Sequence, residues 1–346
     1  MKIKIMKFGG TSLSDPEKIR LAAGHAAGEK KKGFSVVLVL SAPGQVTDEL
    51  LELARRINPS PKARELDALL STGESLSAAL AAMALEAEGH RAVSISGAQA
   101  GILTDSAFSN ASVLDINPKR IISELKKGKI AVVAGFQGIT RSGDITTLGR
   151  GGSDLTAVAL AAALKAEICE LYSDVKGIYT ANPALVSSAR KLPRVSYEEV
   201  MAMAEAGTEV RQLRAVVYAK KHKIPLVLRS SFDSEPGTWV GDFKHTGKSP
   251  EVTAPPASLQ KTDIQFEASG GVRCLSIRKH EKSAEITLIG SKLNNRKIKK
   301  AVLSAALTNG CRLTRAAYFP GKAVLLTDTQ HGEKLLKVLH KVFIGC

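Results

Sequence analysis

The sequence predicts an α/β protein built on a mostly parallel sheet, followed by a smaller α+β module. Over roughly the first 240 residues, short apolar runs alternate with helical patterns, and several of the runs are apolar throughout. Strands of this kind are typical of parallel sheets covered by helices on both faces. Further on, the predicted order becomes β-β-α-β-β-α, which is compatible with a ferredoxin-like module. A length of 346 residues also suits two domains.

The first elements are predicted by a strand-like run and a helix start signal. Ile3–Phe8 is a strand candidate that runs into a glycine turn. Ser14 then has the character of an N-cap, with Pro16 in the first turn and Glu17 as the capping-box partner. We expect this helix to continue to about Lys32, because a glycine follows there.

The later elements of the first part follow from the same two periodicities, apolar runs for strands and helical spacing for helices. The predicted strands are Ser35–Leu40, Arg91–Ser96, Ile130–Ala134, Ile168–Tyr172 and Pro225–Leu228, with a hairpin at Gln137–Thr147. The predicted helices are one after Thr47, then Glu74–Glu88, Asn117–Lys127, Ser153–Lys165, Ser196–Ala206 and Gln212–His222.

A domain boundary is predicted where Gly, Lys, Ser and two adjacent prolines cluster, at Gly247–Pro256. We therefore predict a first domain over residues 1–245, a linker over 246–260 and a second domain over 261–346. The elements predicted for the second domain are strands at Cys274–Ile277, Glu285–Ile289, Arg312–Ala316 and Lys322–Thr327, and helices at Asn295–Leu307 and Gly332–Phe343.

The chain is basic, with 49 Lys and Arg against 33 Asp and Glu and a net charge of +16. Most of the excess lies after residue 254, and its densest stretch is Lys292–Lys300. Such a charge invites a nucleic-acid interpretation. However, charge runs are usually solvated helix faces, and aromatic residues that could stack on bases are sparse here. We expect no nucleic-acid partner, and binding through the basic C-terminal region is the alternative.

Cysteine usage and apolar runs exclude several classes of protein. The four cysteines are scattered without a CxxC pair, so neither a disulfide framework nor a zinc site is indicated, and we assign no metal ligands. The stretch Met1–Lys7 alternates charged and apolar residues instead of forming the apolar core of a leader. Thr156–Leu164, the longest apolar stretch, is too short for a bilayer. We expect a cytoplasmic protein that does not contact a membrane.

Glycine-rich turns next to strands or helices are the first chemical signal. They are Gly9–Ser12, Ser41–Gly44, Gly135–Gly138 and Gly149–Asp154. Glycine lets a backbone approach an anion closely, and a helix N-terminus favours negative charge. Lys7 would stand at the carboxyl end of the first strand, where ligands of open α/β sheets bind. Because the spacing matches neither the Walker loop nor the dinucleotide fingerprint, we expect a phosphate site of another kind.

Six blocks of sequence, in order, resemble the aspartate kinases of the amino acid kinase family. Lys7–Ser12 resembles the N-terminal signature of that family, and Thr146–Asp154 is similar to its second signature almost letter for letter. The other four blocks are Val39–Gly44, Ser71–Glu74, Gln99–Gly101 and Ser173–Thr180. Together the blocks cover roughly residues 1–240.

The resemblance implies a fold and an activity. The fold would be the amino acid kinase three-layer sandwich, with an ACT-like, ferredoxin-like domain at its C-terminal end. The activity would be ATP-dependent phosphorylation of the aspartate side-chain carboxylate to 4-phospho-L-aspartate, with Mg²⁺ and in a homodimer. A carboxylate nucleophile needs no general base, so catalysis reduces to aligning two anions and offsetting their repulsion with Mg²⁺, lysine and backbone amides.

The resemblance also implies a role for individual residues. Lys7 would neutralise the transferred phosphoryl group, and Asp154 would organise the cationic groups around it. Glu74 would meet the substrate amino group, and Arg150 its α-carboxylate, as a planar fork suited to bidentate pairing. The other residues of the substrate site would be Thr72 and Ser153. The nucleotide residues would be Lys7, Gly9, Gly10, Ser12, Ser41, Ser173, Asp174 and Tyr179, joined by Arg211 for the reason given next.

Two positions depart from the family pattern. Where the family usually has Gly-Ala-Lys-Val-Leu-His-Pro-Arg, this chain has Gly207–Arg214, so Glu209 replaces a phosphate-contacting lysine. Ala184 likewise replaces a nucleotide-contacting arginine. A carboxylate in place of a cation beside a triphosphate exchanges attraction for repulsion. Each such interaction is on the order of 4 kcal/mol for charges about 4 Å apart at an effective dielectric of about 20. Arg211 is the candidate substitute cation; without it we expect a weak kinase, altered substrate or metal use, or a silent paralogue.

The C-terminal region also differs from the family. Related kinases carry two tandem ACT domains, whereas about 90 residues follow residue 255 here, enough for one. Asn294–Lys297 stands where a Pro-Gly turn usually opens the effector loop. We therefore expect weak or absent feedback by lysine or threonine. Two alternatives are open: a related carboxylate, carbamate or nucleotide kinase, and a non-catalytic paralogue that binds an effector or a partner.

Overall fold

The structure, a computed structural model, describes residues 1–206, 213–243 and 271–345. The chain divides into two compact units, Met1–Gly177 with Gln212–Gly241 and Ile178–Arg211 with Asp242–Cys346. Residues 178–206 thus group with the C-terminal module, although the sequence pattern predicts them in the first domain. The predicted domain limits stay a prediction, because their linker lies outside the described residues.

The described strands and helices are numbered in chain order. The strands are β1 (Ile3–Phe8), β2 (Ser35–Leu40), β3 (Ala92–Ile95), β4 (Ile102–Thr104), β5 (Val113–Ile116), β6 (Ile130–Ala134), β7 (Gln137–Ile139), β8 (Ile145–Thr147), β9 (Ile168–Ser173), β10 (Arg194–Ser196), β11 (Leu226–Ser230), β12 (Thr238–Gly241), β13 (Val272–Lys279), β14 (Ser283–Gly290), β15 (Leu313–Tyr318) and β16 (Lys322–Asp328). The helices are α1 (Pro16–Lys31), α2 (Val46–Ile57), α3 (Ala63–Ala87), α4 (Lys119–Lys126), α5 (Gly152–Ala163), α6 (Tyr197–Glu205), α7 (Leu213–His222), α8 (Arg296–Thr308) and α9 (Thr329–Ile344).

The large sheet of the first unit confirms the predicted α/β class. Within the first unit, the strands of this sheet lie in the order β12-β11-β9-β1-β2-β6-β3. All these pairs are parallel except β11 with β12. Every residue of β1 and β6 is buried, because helices cover both faces of the sheet. Since parallel strands end at one edge, the loops after β1, β2, β6 and β9 meet there.

Three layers make up the first unit. Alternate side chains of β1, β2 and β6, such as Met6 and Leu38, share one apolar core with the inner faces of α1 and α3. Helix α5 packs against β1, β2 and β9. It is buried from Gly152 to Ala161, which explains its nearly uniform apolar composition. A second, small sheet, β5-β4-β7-β8, contains the predicted hairpin.

Helix α3 begins at Ala63, so the predicted start at Glu74 is wrong. Ser71-Thr72-Gly73 resembles a turn in sequence, but the hydroxyls of Ser71 and Thr72 donate to carbonyls of their own helix. Gly73 packs so closely that an added Cβ would lie 2.8 Å from Ala42 Cβ. By length and composition α3 could cross a membrane, but half of its most apolar window is buried in this protein.

The start of α1 is also corrected. Asp15, not Ser14, is the N-cap, and its carboxylate accepts from the Lys18 amide at 2.9 Å. Pro16 occupies the first turn as predicted, whereas Glu17 is not the capping-box partner. Aspartate and serine cap equally well, so the sequence does not separate two adjacent candidates.

The second unit contains the predicted β-β-α-β-β-α module. Its sheet has the order β13-β14-β16-β15, with every neighbour antiparallel. Residues of α8 and α9 complete its apolar core, which also includes Ala181 and Val186. Leu275 donates its amide hydrogen to the Thr180 carbonyl at 2.8 Å. The segment that follows the Ser173–Thr180 block is therefore held by the module.

Candidate active site

The centre of the site is an ion pair between β1 and α5. Lys7 Nζ lies 2.6 Å from Asp154 Oδ1, and the two side chains are only 5% and 4% exposed. Lys7 is the penultimate residue of β1, and Asp154 lies in the first turn of α5. A buried charge is stable only with a partner, and this carboxylate holds the ammonium at the carboxyl edge of the sheet.

Glycines shape the turn that leads into α5. Gly149 and Gly151 have φ of 73° and 72°, the left-handed region that glycine adopts without strain. Gly135, at the end of β6, approaches Ser153 so closely that an added Cβ would lie 2.8 Å from Ser153 Oγ. The start of α5, with the positive end of its dipole, is thereby brought to the ends of β2 and β6.

The loops after β1 and β2 are in contact through Gly10. An added Cβ at Gly10 would lie 2.9 Å from the Ala42 carbonyl oxygen, and the Gly44 amide donates to the Gly10 carbonyl. Ser12 Oγ and Ser231 Oγ form a buried hydrogen bond at 2.7 Å. Half-buried Ser41 donates its amide hydrogen to the Phe8 carbonyl, next to buried Gly9.

Glu74 has the most unusual electrostatic environment of the site. It lies on α3 with 3% of its surface exposed, and its Oε1 accepts from the Ala42 amide at 3.0 Å. Its Oε2 is buried and has no hydrogen-bond partner among the residues the structure describes. Burial raises the pKa of Glu74 to about 7, against the lowering effects of the Ala42 amide and of Lys7. An unpartnered buried oxygen of this kind suits a cationic ligand.

Arg150 and Thr72 are both exposed. Arg150 lies in the turn between β8 and α5, directly after Gly149. The Thr72 hydroxyl donates to the Leu69 carbonyl at 2.7 Å, a bond within α3 itself. The predicted substrate roles of these two residues stay predictions.

The predicted nucleotide residues fall in three places. Ser173 ends β9, where its Oγ accepts from the Val175 amide at 3.3 Å, and Asp174 is exposed after it. Tyr179 belongs to the second unit, where it forms an isolated antiparallel bridge with Lys191. Ala184, also in the second unit, is exposed. Glu209 and Arg211 lie outside the described residues, so their predicted roles are untested.

Two residues next to the second signature were missed by the sequence analysis. Asp67 on α3 bonds Ser109 and Thr147, and Arg214 on α7 bonds the Leu148 carbonyl. Asp67 lies two helical turns before Glu74, so the two residues share a face of α3. The sequence would indicate this relation only with α3 beginning at Ala63.

Within residues 1–206, 213–243 and 271–345, no three His, Cys, Asp or Glu side chains come together as a ligand set. Cys169, Cys274 and Cys311 are free and buried. Burial raises the pKa of all three thiols, so they are protonated at neutral pH.

The chain is similar in sequence to a known family and to several characterised proteins. The model of the amino acid kinase family matches residues 2–230. The aspartokinase of Corynebacterium glutamicum is 51% identical over 241 residues, which are 69% of this chain and 57% of the relative. Aspartokinase 2 of Bacillus subtilis is 51% identical over 240 residues, covering 69% and 59%. The chain thus spans little more than half the length of these relatives.

Solved structures give the same picture of the fold. An aspartate kinase from Synechocystis is 31% identical with a TM-score of 0.64, covering 99% of this chain and 69% of that one. Aspartokinase III of E. coli, in complex with aspartate and ADP, is 23% identical with a TM-score of 0.65, covering 99% and 84%. An aspartate kinase of Clostridium acetobutylicum is 18% identical with a TM-score of 0.73, covering 99% and 100%. The last two are similar in fold alone.

Proposed function

Because the chain belongs to the amino acid kinase family, we propose that it transfers the terminal phosphoryl group of ATP to the side-chain carboxylate of L-aspartate, giving 4-phospho-L-aspartate. The observation that carries the proposal is the pairing of two environments at one sheet edge: the Lys7–Asp154 ion pair and the unpartnered oxygen of Glu74. One suits a phosphoryl group and the other an ammonium. Relatives about 50% identical that bear the name aspartokinase support this choice of substrate.

The transfer step needs little from the protein beyond positioning and charge. The substrate carboxylate is already ionised at neutral pH, so it attacks phosphorus without a general base. Lys7 offsets the repulsion between the two anions, and Asp154 keeps its ammonium in place. Gly10 and Gly135 let the loops after β1, β2 and β6 and the start of α5 pack closely together at this edge, where the phosphate groups would bind.

The substrate amino acid is recognised through its α-groups. Glu74 Oε2 accepts from the α-ammonium, and Arg150 pairs with the α-carboxylate, with Thr72 and Ser153 beside them. Glu74 has to be ionised for this contact. Its pKa of about 7 in the free protein falls when the ammonium binds, so binding below neutral pH releases a proton.

The nucleotide would lie against Ser41, Ser173 and Asp174, in addition to the residues of the β1 loop, and the nucleotide roles of Tyr179 and Arg211 stay predictions from the sequence. Mg²⁺ fits this donor set as an ion that arrives with the nucleotide, because it prefers oxygen ligands and takes most of them from phosphates and water. Bound in this way, it would neutralise charge on the phosphate oxygens. Homodimeric assembly, a cytoplasmic location and weak or absent feedback belong to the same proposal.

The experiment is acyl phosphate trapping. Purified protein is incubated with Mg-ATP, L-aspartate and hydroxylamine, and the hydroxamate is measured. We expect product with L-aspartate and none with succinate, which lacks the amino group that Glu74 binds. Carbamate and UMP, assayed by ADP release, test the related kinases. Absence of hydroxamate above an Asp154→Ala control rejects the proposal.

A silent paralogue is the second candidate, favoured by Glu209 and Ala184 at positions where the family has cations. It is distinguished by binding without turnover: L-aspartate would raise the unfolding temperature while Mg-ATP yields no hydroxamate. If activity is present, Arg211→Ala should abolish it when Arg211 replaces the missing cation. A wild-type rate in that variant would rule out such compensation.

A further inference from the structure

Asp67 is a buried carboxylate that joins three parts of the first unit. It lies near the start of α3 with 0% of its surface exposed. Oδ2 accepts from the backbone amides of Ser109 and Thr147, both at 2.8 Å. Oδ1 accepts from Thr147 Oγ1 at 2.8 Å and from Ser109 Oγ at 3.3 Å. The four donors are neutral and come from two separate segments, the loop before β5 and the end of β8.

The same segments are also held by Arg214, in the first turn of α7. Its guanidinium donates to the Leu148 carbonyl at 2.7 Å, the Asn110 side-chain oxygen at 2.6 Å and the Ala111 carbonyl at 3.1 Å. Gly149 fits against this loop, because an added Cβ would lie 2.7 Å from Asn110 Oδ1. Thr147, Leu148 and Gly149 are therefore each held by a specific contact, and the next residue along the chain is Arg150.

Asp67 also shares a helix with Glu74. The two are seven residues apart on α3 and both are buried, so they lie on the same face. Helix α3 thus carries Glu74 directly and holds the segment before Arg150 through Thr147. In an α-amino acid the ammonium and the carboxylate are attached to one carbon. Two groups that bind them must keep a fixed separation, and a shift of about 1 Å is sufficient to weaken binding.

We propose that Asp67 is a positioning residue that sets Arg150 at the distance from Glu74 required for an α-amino acid. It acts through Ser109 and Thr147, and Arg214 supports the same segment. The inference rests on the proposed function, from which it takes the roles of Glu74 and Arg150. It assigns to Asp67 an effect on the affinity for L-aspartate and none on the affinity for ATP.

The test measures L-aspartate binding by isothermal titration calorimetry, and KM for both substrates, in three variants. Asp67→Asn places an amide donor among four donors, so we expect Kd and KM for L-aspartate to rise about tenfold or more. Thr147→Val removes one hydroxyl at nearly constant shape and should raise them about threefold to tenfold. Thr147→Ser keeps the hydroxyl and should restore the wild-type values. KM for ATP should not change in any of them.

Glu124→Gln is the matched control. Glu124 is similarly buried and forms ion pairs with Lys127 and Lys129, but it belongs to α4, outside the site. We expect that variant to bind L-aspartate like the wild type. If Asp67→Asn does not fold, the inference is tested by comparing the L-aspartate affinities of Thr147→Val and Thr147→Ser.

Two results overturn the inference while the proposed function stands. The first is wild-type aspartate affinity in both Asp67→Asn and Thr147→Val. The second is an equal rise of KM for ATP and for L-aspartate, which indicates a general structural role. A wild-type protein that neither binds nor phosphorylates L-aspartate rejects the proposed function instead.

Discussion

Two lysines of β1, Lys4 and Lys7, are both buried and both paired with carboxylates, yet their surroundings differ. Lys4 lies 2.6 Å from Glu29 and 3.4 Å from Glu170, with its ammonium over the Phe34 ring. Among the residues that the structure describes, Lys7 forms an ion pair with Asp154 only. Because side chains alternate along a strand, the two lysines face opposite layers of the unit.

The comparison separates a structural charge from one that is available for chemistry. The carboxylates around Lys4 have further partners. Glu170 also accepts from the Tyr172 hydroxyl at 2.7 Å and lies 3.6 Å from Arg229. Lys7 instead lies at the carboxyl edge of the sheet, beside glycine loops and the unpartnered oxygen of Glu74. Position along the strand, rather than residue type or burial, distinguishes the two.

The largest expected effect is on activity, at Lys7. Lys7→Arg keeps a positive charge that can pair with Asp154, but it moves that charge away from the phosphoryl group. We expect the rate of hydroxamate formation to fall about 100-fold or more. The control is Lys4→Met, which should retain the wild-type rate per folded molecule. Comparable rates in the two variants would contradict the distinction drawn between the lysines.

The next effect is on stability, at Lys4. Lys4→Met leaves Glu29 and Glu170 without their shared ammonium inside the protein, so the free energy of unfolding should fall by about 3 kcal/mol. The measurement is urea unfolding followed by the fluorescence of Trp239, the chain's single tryptophan, which lies in β12 of the same unit. An unchanged midpoint would show that the Lys4 ion pairs do not stabilise the fold.

Glu74 links the site to pH. Because its pKa of about 7 is raised above the usual 4.5, the free protein loses stability as pH rises from about 4.5 through 7. Glu74→Gln should therefore be more stable than wild type at pH 8, by up to about 3 kcal/mol in the same urea assay. A lower stability of the variant at pH 8 would contradict the raised pKa.

The same group predicts the pH dependence of substrate binding. KM for L-aspartate should rise about tenfold for each pH unit below 7, since only ionised Glu74 accepts from the ammonium. Glu74→Gln should have a higher KM that no longer varies between pH 5.5 and 8, a range chosen to bracket a pKa of about 7. A variant with the wild-type pH profile would assign the titration to another group.

The smallest expected effect is at Tyr172, on the Lys4 side. Tyr172→Phe removes one hydroxyl donor from Glu170 while its ring stays stacked on Phe8 at 4.3 Å. We expect a loss of about 1 kcal/mol in unfolding free energy and no change in the rate of hydroxamate formation. A fall in rate would indicate that the Lys4 cluster is coupled to the site.

The sequence is most informative where one short stretch predicts both a secondary-structure element and a binding residue. The apolar run predicts a strand at Ile3–Phe8 with the bounds that the structure has, and Lys7 with the glycines after it predicts an anion site. A block that resembles the family predicts Glu74 as a site residue, although the helix begins at Ala63 and not at Glu74. That block contains hydroxyl residues and a glycine, and only their bonds within α3 and the packing against Ala42 show why the helix continues through them.

By itself, the sequence determined the fold class, the order of the main elements and the residues at the carboxyl edge of the sheet. These follow from local periodicity and from short motifs, which depend on neighbours in the chain. Tertiary structure decided what depends on distant neighbours: the partners of Lys4, the pKa of Glu74, the contacts of Asp67 with Thr147, and the grouping of residues 178–206 with the C-terminal module. Burial and hydrogen-bond partners arise only when segments far apart in sequence meet, so no local pattern encodes them.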